Sequence, residues 1–375
     1  MLQNKIYKNF FTDIIKKFLV ILLGLTILAF TVRAVNFLDL IVHSGYPLIV
    51  YFQYSILNLF GIIPKLIPLS FLLALTIFIL KHIQDKEFII LWISGVHKLS
   101  MVNFIFLISI FILIFHLIFS VFLTPFALNK SRLILSQDQL NSFLPTIKPQ
   151  QFSDSFKGFT FFVEEKNENR LKNIFIHDKG DNLKNFSSNN KKKNNTTIIS
   201  QGGIVEENKI FLFNGKIINS EYGNNESDII KFDEFIIDLS DLSTTTIKNP
   251  KLQETSTFKL LKCITSNDLQ KKLFCKNKYE EIIPTLNRRI TLPFYIPVLS
   301  IICSLLFFLK KNKFYFNKIV IFIYSFLILL FTELAVRYTG LSSLMRVFFI
   351  IFPFILIVIL YFFLVFNFSN KSKTI

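Results

Sequence analysis

The residue types that most often carry out chemistry occur here without the spacing that chemistry requires. The five histidines are scattered, with no pair at the spacing of a metal site: His43, His82, His97, His116 and His177. No G-x-x-x-x-G-K-[ST] loop is present to bind nucleotide phosphates, and no G-x-S-x-G turn presents a serine nucleophile. The sequence therefore predicts no enzyme active site, no metal site and no cofactor.

The segment Lys81–Met101 has instead the features of a docking helix. Asp85 can cap the start of a short helix, Glu87 falls in its first turn, and Gly95 can end it in a left-handed conformation. The helix would present a face of large apolar side chains: Phe88, Ile89, Leu91 and Trp92. Because such a face is unstable in water, we expect a coupling helix over residues 83–95. It would either bind a separate motor protein or pack against the chain's own helices.

The composition indicates the surroundings of this helix. The 375 residues are 52% hydrophobic and include 47 Phe, which is unusual for a soluble protein. Phe126–Arg289 holds 25 basic and 20 acidic residues, whereas the remaining 211 residues hold 17 basic and only 5 acidic ones. The positive excess therefore lies in short clusters beside apolar stretches. This is typical of a polytopic membrane protein and argues against a nucleic-acid-binding protein.

Six apolar stretches are long enough to cross a bilayer, which takes about 20 helical residues. They are approximately Phe18–Val42, Ile49–Leu80, Met101–Leu123, Ile290–Leu309, Ile319–Val336 and Val347–Phe366. The second is over-long and contains Pro64 and Pro68, which predict a kink or a break. Before the first span, apolar residues recur at helical spacing among lysines, which predicts an amphipathic helix lying at the cytoplasmic interface.

The loops between these stretches predict the orientation. Thirteen lysines lie in the terminal segments and in the loops after the second and fourth spans, whereas the opposite short loops offer little beyond Arg337 and Arg346. By the positive-inside rule, both termini are cytoplasmic and the long segment after the third span is outside. In a bacterium with two membranes, that segment is periplasmic.

This central segment, residues 126–289, is predicted to be an all-β, sandwich or jelly-roll-like domain between membrane halves 1–125 and 290–375. The strand candidates are Phe159–Val163, Asn173–Ile176, Thr196–Ser200, Lys209–Asn214, Lys216–Asn219 and Lys231–Leu239. Gly202-Gly203 and Asn214-Gly215 are among the turn candidates. Cys263 and Cys275 either form a disulfide in an oxidising compartment or remain unpaired thiols.

Two of these motifs carry a resemblance to a known family. The run from Leu66 to Ala74 (LIPLSFLLA) followed by KHIQDKEFIILWISGVHK resembles the second span and coupling helix of the lipopolysaccharide-export permeases, LptF/LptG. Leu286-Asn-Arg-Arg289-Ile-Thr-Leu-Pro293 is similar to the E/L-x-x-R-x-x-x-P pattern at the start of their fourth span. The residues Arg289-Ile-Thr-Leu are more similar to those of the LptF-type members of the family than to those of the LptG type.

The resemblance implies a transport subunit of an ABC-type exporter without its own nucleotide site. Its partners would be an LptB-like cytoplasmic ATPase, a second, LptG-like permease, a single-span LptC-like protein and a periplasmic LptA-like jelly-roll protein. Its cargo would be lipopolysaccharide, extracted from the inner membrane and passed to a periplasmic β bridge. The residues implied to couple to the ATPase are Asp85, Glu87, Phe88, Leu91, Trp92 and Gly95.

A cargo with acyl chains and phosphates needs an apolar cavity with a few cations near the outer headgroups. Arg33 and Lys65 are the candidate lipid contacts, and snorkelling to the interface is the alternative for each. A charge at mid-membrane costs ~2.5–3.5 kcal/mol, so Arg33 should have a partner such as Asp39 or face a polar lumen. Glu333 is predicted to pair with Arg337 one helical turn later.

Two other functions fit parts of the sequence. A membrane-anchored receptor or assembly factor would use the β domain to bind a periplasmic ligand, but both cytoplasmic tails are short for signalling output. A MacB-like permease places its large domain after the first span, whereas here it follows the third. We therefore favour the export permease.

Overall fold

The computed structural model describes residues 2–42, 46–138, 149–156, 159–167, 169–179, 194–206, 209–221, 227–238, 251–265, 279–308 and 314–372. The chain divides into two compact units. The first, which we call the helical unit, comprises Met1–Val32, Asn58–Leu128 and Lys251–Ile375. The second contains the β-sheet and comprises Arg33–Leu57 and Asn129–Pro250. Residues 251–265 and 279–289 lie in the helical unit, where Leu260, Ile282 and Leu286 form a buried cluster.

The helices before the sheet are α1 (Leu2–Phe37), α2 (Asp39–Val42), α3 (Leu48–Leu59), α4 (Ile63–Gln84), α5 (Glu87–Ile93), α6 (Lys98–Ile118) and α7 (Thr124–Asp138). A π-helical turn, Phe119–Leu123, joins α6 to α7. After the sheet come α8 (Thr257–Thr265), α9 (Tyr279–Ile290), α10 (Tyr295–Ser304), α11 (Phe314–Tyr338) and α12 (Ser343–Ser372). Short 3₁₀ turns, Leu292–Phe294 and Leu305–Phe308, flank α10.

Six helical stretches are long and apolar enough to cross a membrane, which confirms the predicted number. They are Lys5–Phe37, Ile63–Gln84, Lys98–Leu135, Glu280–Phe307, Ile319–Tyr338 and Ser343–Phe366. The over-long second stretch is broken, as predicted: α3 ends at Leu59 and α4 begins at Ile63. Pro64 lies in the first turn of α4, where its missing N–H is harmless, and Pro68 is inside the helix.

The amphipathic segment predicted before the first span is helical and continuous with that span. α1 is continuous from Leu2 to Phe37, since no proline interrupts it and one apolar stripe runs through both parts. Phe10, Ile14, Phe18 and Leu22 recur every fourth residue, so they lie on one face, and they are buried in the main core of the helical unit.

The fourth span lies at the centre of the helical unit. It is 83% buried within the chain, whereas the first, fifth and sixth spans are each only 17% buried. Every residue of α10 is buried, and the Ser300 hydroxyl donates to the Ser109 hydroxyl of α6 at 3.2 Å. The outward faces of the other spans are apolar and therefore suited to lipid or to another membrane subunit.

The inserted all-β domain is confirmed as a six-stranded antiparallel sheet. Its strands are β1 (Phe152–Phe156), β2 (Phe159–Asn167), β3 (Arg170–Asp178), β4 (Asn194–Glu206), β5 (Lys209–Glu221) and β6 (Ser227–Asp238). They lie side by side in sequence order, so the described strands form a meander with β1 and β6 at its edges. One face buries a cluster that includes Phe159, Ile176 and Leu212.

A line that we call the crease crosses this sheet. Asn173, Gln201 and Asn214 lie beside one another on adjacent strands, and all three are skipped in the registers that pair those strands. Asn173 and Asn214 have φ angles of 48° and 50°. In β3 and β5 this left-handed residue shifts the in–out alternation by one position, and β4 changes parity beside them. The buried residues on the two sides of the crease are Leu171 against Ile174 and Ile176, Ser200 against Gly203, and Leu212 against Ile217.

The crease explains two wrong turn predictions. Gly202-Gly203 lies inside β4 and Asn214-Gly215 lies inside β5, which is one strand and not two. Gly215 is needed for close packing, because a Cβ there would stand 2.4 Å from the Phe232 ring.

The cysteines resolve one of the open alternatives. Cys263 is disulfide-bonded, so it is not an unpaired thiol. Cys303 is free and buried in α10, and Cys275 lies outside the described residues.

Candidate functional site

The predicted coupling helix forms, but it is shorter than residues 83–95. α5 spans Glu87–Ile93, and Ile83 and Gln84 belong to the end of α4. The two helices are separated because Lys86 adopts a left-handed conformation with φ of 60°. The prediction that Asp85 caps α5 is therefore wrong: Lys86 occupies the N-cap position of α5, and Asp85 occupies the C-cap position of α4.

The end of α5 is as predicted. Gly95 has φ of +91°, which costs a glycine little and any other residue more. The Gly95 N–H donates to the Trp92 carbonyl and the Val96 N–H to the Leu91 carbonyl. These two bonds are the Schellman pattern, which satisfies the last carbonyls of a helix and fixes its exit direction.

α5 has two apolar faces with different surroundings. Phe88 is 1% exposed and packs with Leu91 and Trp92 into the core of the helical unit. The ring of Phe88 lies 5.1 Å from that of Phe307 at the end of the fourth span, measured between centroids. The second face carries Ile89, Ile90 and Ile93, which are 43%, 64% and 82% exposed. The structure thus realises the packing alternative for one face and leaves the other available.

A polar cluster that sequence reasoning missed holds α5 to two other helices. His82 of α4 is buried, and its Nδ1 contacts the Glu87 carboxylate while its Nε2 lies 3.2 Å from an Asp13 oxygen. Asp13 also forms an ion pair with Lys17 one turn along α1. Only a doubly protonated imidazole can donate to both carboxylates at once. The cluster therefore connects α1, α4 and α5.

Some sequence signal for this cluster exists. Asp13 and Lys17 are spaced i, i+4, and Asp13 is the only acidic residue in the first 38 positions. Nothing local in the sequence indicates that His82 would meet it, because the two are 69 residues apart.

Arg33, the first candidate lipid contact, is half-buried near the end of α1. No hydrogen bond or ion pair of its guanidinium is found within the described part of the chain. The side chain of Asp39, its predicted partner, lies outside that part.

Lys65, the second candidate, is exposed and lines a cleft in the helical unit. The cleft encloses about 640 Å³ of space, part of which is open to solvent. Its walls come from the start of α4, the π-helical turn and its flanks, α9 and α11. The polar lining residues include Lys65, His116, Ser120, Arg288, Arg289 and Glu333.

Glu333 does not pair with Arg337, contrary to prediction. It accepts a hydrogen bond from Arg288 of α9 at 3.1 Å, because α9 and α11 pack against each other. Arg337 is exposed on α11.

Arg289, the arginine of the pattern before the fourth span, is 5% exposed. It donates hydrogen bonds of 2.9–3.1 Å to four oxygens: the carbonyls of Leu252, Gln253 and Thr255 in the segment that precedes α8, and the hydroxyl of Thr257, the first residue of α8. Arg289 therefore fixes this segment against α9.

Residues 9–366 match the family described as lipopolysaccharide export system permease LptF/LptG. The chain belongs to this family. No curated protein matches the chain. The family match covers all six spans and the sheet, so the chain is a multi-pass membrane protein and a lipopolysaccharide export permease. The two sequence motifs that resemble the LptF/LptG family both have a defined local structure. One forms α5, and the other holds Arg289 in its hydrogen bonds.

Proposed function

We propose that this chain is the LptF-type transmembrane subunit of an ABC exporter, which moves lipopolysaccharide from the inner membrane to a periplasmic β bridge. A separate cytoplasmic ATPase would supply the energy, and a second, LptG-type permease would complete the cavity. Family membership supports the cargo, and the wording Arg289-Ile-Thr-Leu supports the LptF type. The lysine distribution supports cytoplasmic termini and a periplasmic sheet.

The observation that carries the motor-driven mechanism is the exposed face of α5. Three isoleucines on a seven-residue helix are exposed although an apolar face is unfavourable in water. We infer that Ile89, Ile90 and Ile93 form the ATPase-docking face, with Glu87 at its edge. Phe88, Leu91 and Trp92 would act differently, by transmitting the motion of α5 to the core in which they are packed.

The test is co-purification of the ATPase with the full complex from detergent. Ile93→Glu should reduce the recovered ATPase at least tenfold, because it places a charge in an apolar interface. Gln84→Glu adds the same charge to an exposed site outside α5 and should leave recovery unchanged. Full recovery of the ATPase with Ile93→Glu and with Glu87→Ala would refute docking through this helix.

Arg33 is the proposed contact for the cargo phosphates. It is half-buried near the end of an apolar helix, and a cation there is favourable next to an anionic group. Arg33→Gln should lower the lipopolysaccharide that co-purifies with the complex, while Arg337→Gln, which removes an exposed cation from α11, should not. Equal retention by both variants would remove Arg33 from the cargo site.

The sheet is proposed to pass acyl chains along its buried face and to extend the bridge through an edge strand. β1 and β6 are the two edges among the described strands. Phe152 of β1 and Ile229 of β6 are 70% and 60% exposed, so both edges carry apolar side chains.

A further inference from the structure

The cleft beside Lys65 has the electrostatics of an anion site. Its lining includes three cations, Lys65, Arg288 and Arg289, and one carboxylate, Glu333. A cleft with an excess of one charge and low-dielectric walls concentrates the opposite charge. All of the lining residues belong to the helical unit.

Two buried nitrogens in this cleft lack hydrogen-bond partners. His116 is 2% exposed, and its Nδ1 has no partner among the described atoms; the same is true of Arg288 Nε. Buried polar groups in native proteins are almost always paired, with protein, water or a bound group. Arg288 Nε can only donate, and His116 Nδ1 donates when it carries the ring proton, so a ligand that accepts hydrogen bonds can pair both nitrogens.

The backbone is also irregular at this place. The π-helical turn Phe119–Leu123 follows directly on the helix that carries His116, and it brings Ser120 and Thr124 to the same cleft. Single π-helical turns occur frequently at functional sites, because the extra residue redirects the side chains that follow.

The rest of the lining is apolar and includes Pro64, Leu128 and Leu292. A ligand that meets cations and apolar side chains together is an amphiphile with an anionic head. A phosphate group suits both a guanidinium and an ammonium, and the three cations of the lining outnumber its one carboxylate.

We propose that this cleft binds the phosphate of an anionic membrane lipid, with Arg288, Lys65 and His116 as its ligands. The proposal rests on the membrane location of the chain and deepens the proposed function by adding a lipid site separate from Arg33. It is independent of the proposed motor contact, so each can fail without the other.

The experiment measures lipid binding to the full chain in neutral detergent by native mass spectrometry. Phosphatidylglycerol should bind at least tenfold more tightly than diacylglycerol of the same acyl chains, which lacks only the phosphoglycerol head. Arg288→Gln should lower phosphatidylglycerol affinity about tenfold, and Arg288→Lys should lose less. Arg337→Gln removes the same charge outside the cleft and should bind as the parent does.

Glu333→Gln separates binding from structure. It breaks the same ion pair as Arg288→Gln, so a purely structural role would change affinity in the same direction for both. At a phosphate site the signs differ: Glu333→Gln removes a repelling charge and should raise affinity several-fold. If Arg288→Gln does not fold, Lys65→Gln takes its place, with an expected loss of about fivefold.

Inorganic phosphate identifies the source of the anion. Displacement of phosphatidylglycerol by millimolar phosphate would mean that the cleft takes the phosphate group on any carrier. Resistance to phosphate would mean that the lipid headgroup is required. Equal affinity for phosphatidylglycerol and diacylglycerol, or affinity unchanged in both Lys65→Gln and Arg288→Gln, would overturn the proposal.

Discussion

Arg289 is a cation whose role is set by the carbonyls around it. Its guanidinium is buried, and its four hydrogen bonds go to three main-chain oxygens in the segment before α8 and to the hydroxyl of the first residue of α8. A buried charge is tolerable when its donors are used, and a planar guanidinium can reach several carbonyls at once. Arg289 therefore has a structural role, whereas its neighbour Arg288, which also lines the cleft, keeps an Nε without a partner among the described atoms.

Arg289→Met should therefore destabilise the helical unit by about 3 kcal/mol, because several buried carbonyls lose their donor. Arg289→Lys should recover little of this stability, because one ammonium group cannot reproduce the hydrogen bonds of a planar guanidinium. Thermal unfolding in detergent measures the effect. Arg337→Met, at an exposed position, should change stability by less than about 0.5 kcal/mol, and an equal loss in both variants would contradict the assignment.

Gly340 and Gly24 differ in the space that surrounds their Cα atoms, so they can be compared directly by alanine substitution. A Cβ at Gly340 would stand 2.0 Å from the Glu280 carbonyl oxygen, whereas nothing lies within 4 Å of one at Gly24. Gly340→Ala should lower stability by about 2 kcal/mol through overpacking. Gly24→Ala, in the interior of α1, should raise it by about 0.5 kcal/mol or more. Thermal unfolding of both variants checks the two signs.

At the scale of elements, the attachment of α5 depends on His82. His82→Leu removes the group that contacts both Asp13 and Glu87, so α5 should loosen while its buried Phe88 stays in place. Hydrogen exchange of residues 87–93 should become at least fivefold faster. His97→Leu alters an exposed histidine and should not change it; equal exchange in both would mean that the cluster does not hold the helix.

The crease predicts a contrast between two glycines of the sheet. A Cβ at Gly215 would overlap the Phe232 ring and the Ile199 carbonyl, whereas one at Gly202 meets only the Leu171 carbonyl oxygen, at 3.8 Å. Gly215→Ala should destabilise the sheet by about 2 kcal/mol, and Gly202→Ala by less than about 1 kcal/mol. Near-equal unfolding midpoints would show that the sheet adjusts at Gly215.

The elements also show which structure a sequence can predict. The six spans and the inserted β domain can be predicted from the long apolar runs and the polar segment that interrupts them. The end of α5 at Gly95 can be predicted because this glycine follows an apolar helical face. The prediction that a turn at Asn214 divides β5 is wrong, because a left-handed residue inside a strand shifts the in–out alternation of side chains. In the sequence, such a shift resembles a turn. The cleft and the His82 cluster could not be predicted, because their members are brought together only by helix packing, from positions as distant in the sequence as Gly61 and Glu333.

At the scale of the whole molecule, the charge asymmetry predicts which side each part occupies. Asn169→Cys, in the tight turn between β2 and β3, should react with a membrane-impermeant maleimide in intact spheroplasts. Ser94→Cys, at the end of α5, should react only after lysis. Labelling is compared with that of the parent chain, in which Cys263 is bonded and Cys303 is buried. Reaction of Ser94→Cys in intact spheroplasts would reverse the orientation.

The crease in the sheet has a mechanical consequence. The pairing registers skip the residues along that line, so we expect small torsions at Asn173, Gln201 and Asn214 to rotate the two halves of the sheet while the ladders on either side stay intact. In the bridge proposed above, such a hinge would change the curvature of the sheet without unfolding any strand. The buried face would then accept lipids that differ in the number and girth of their chains.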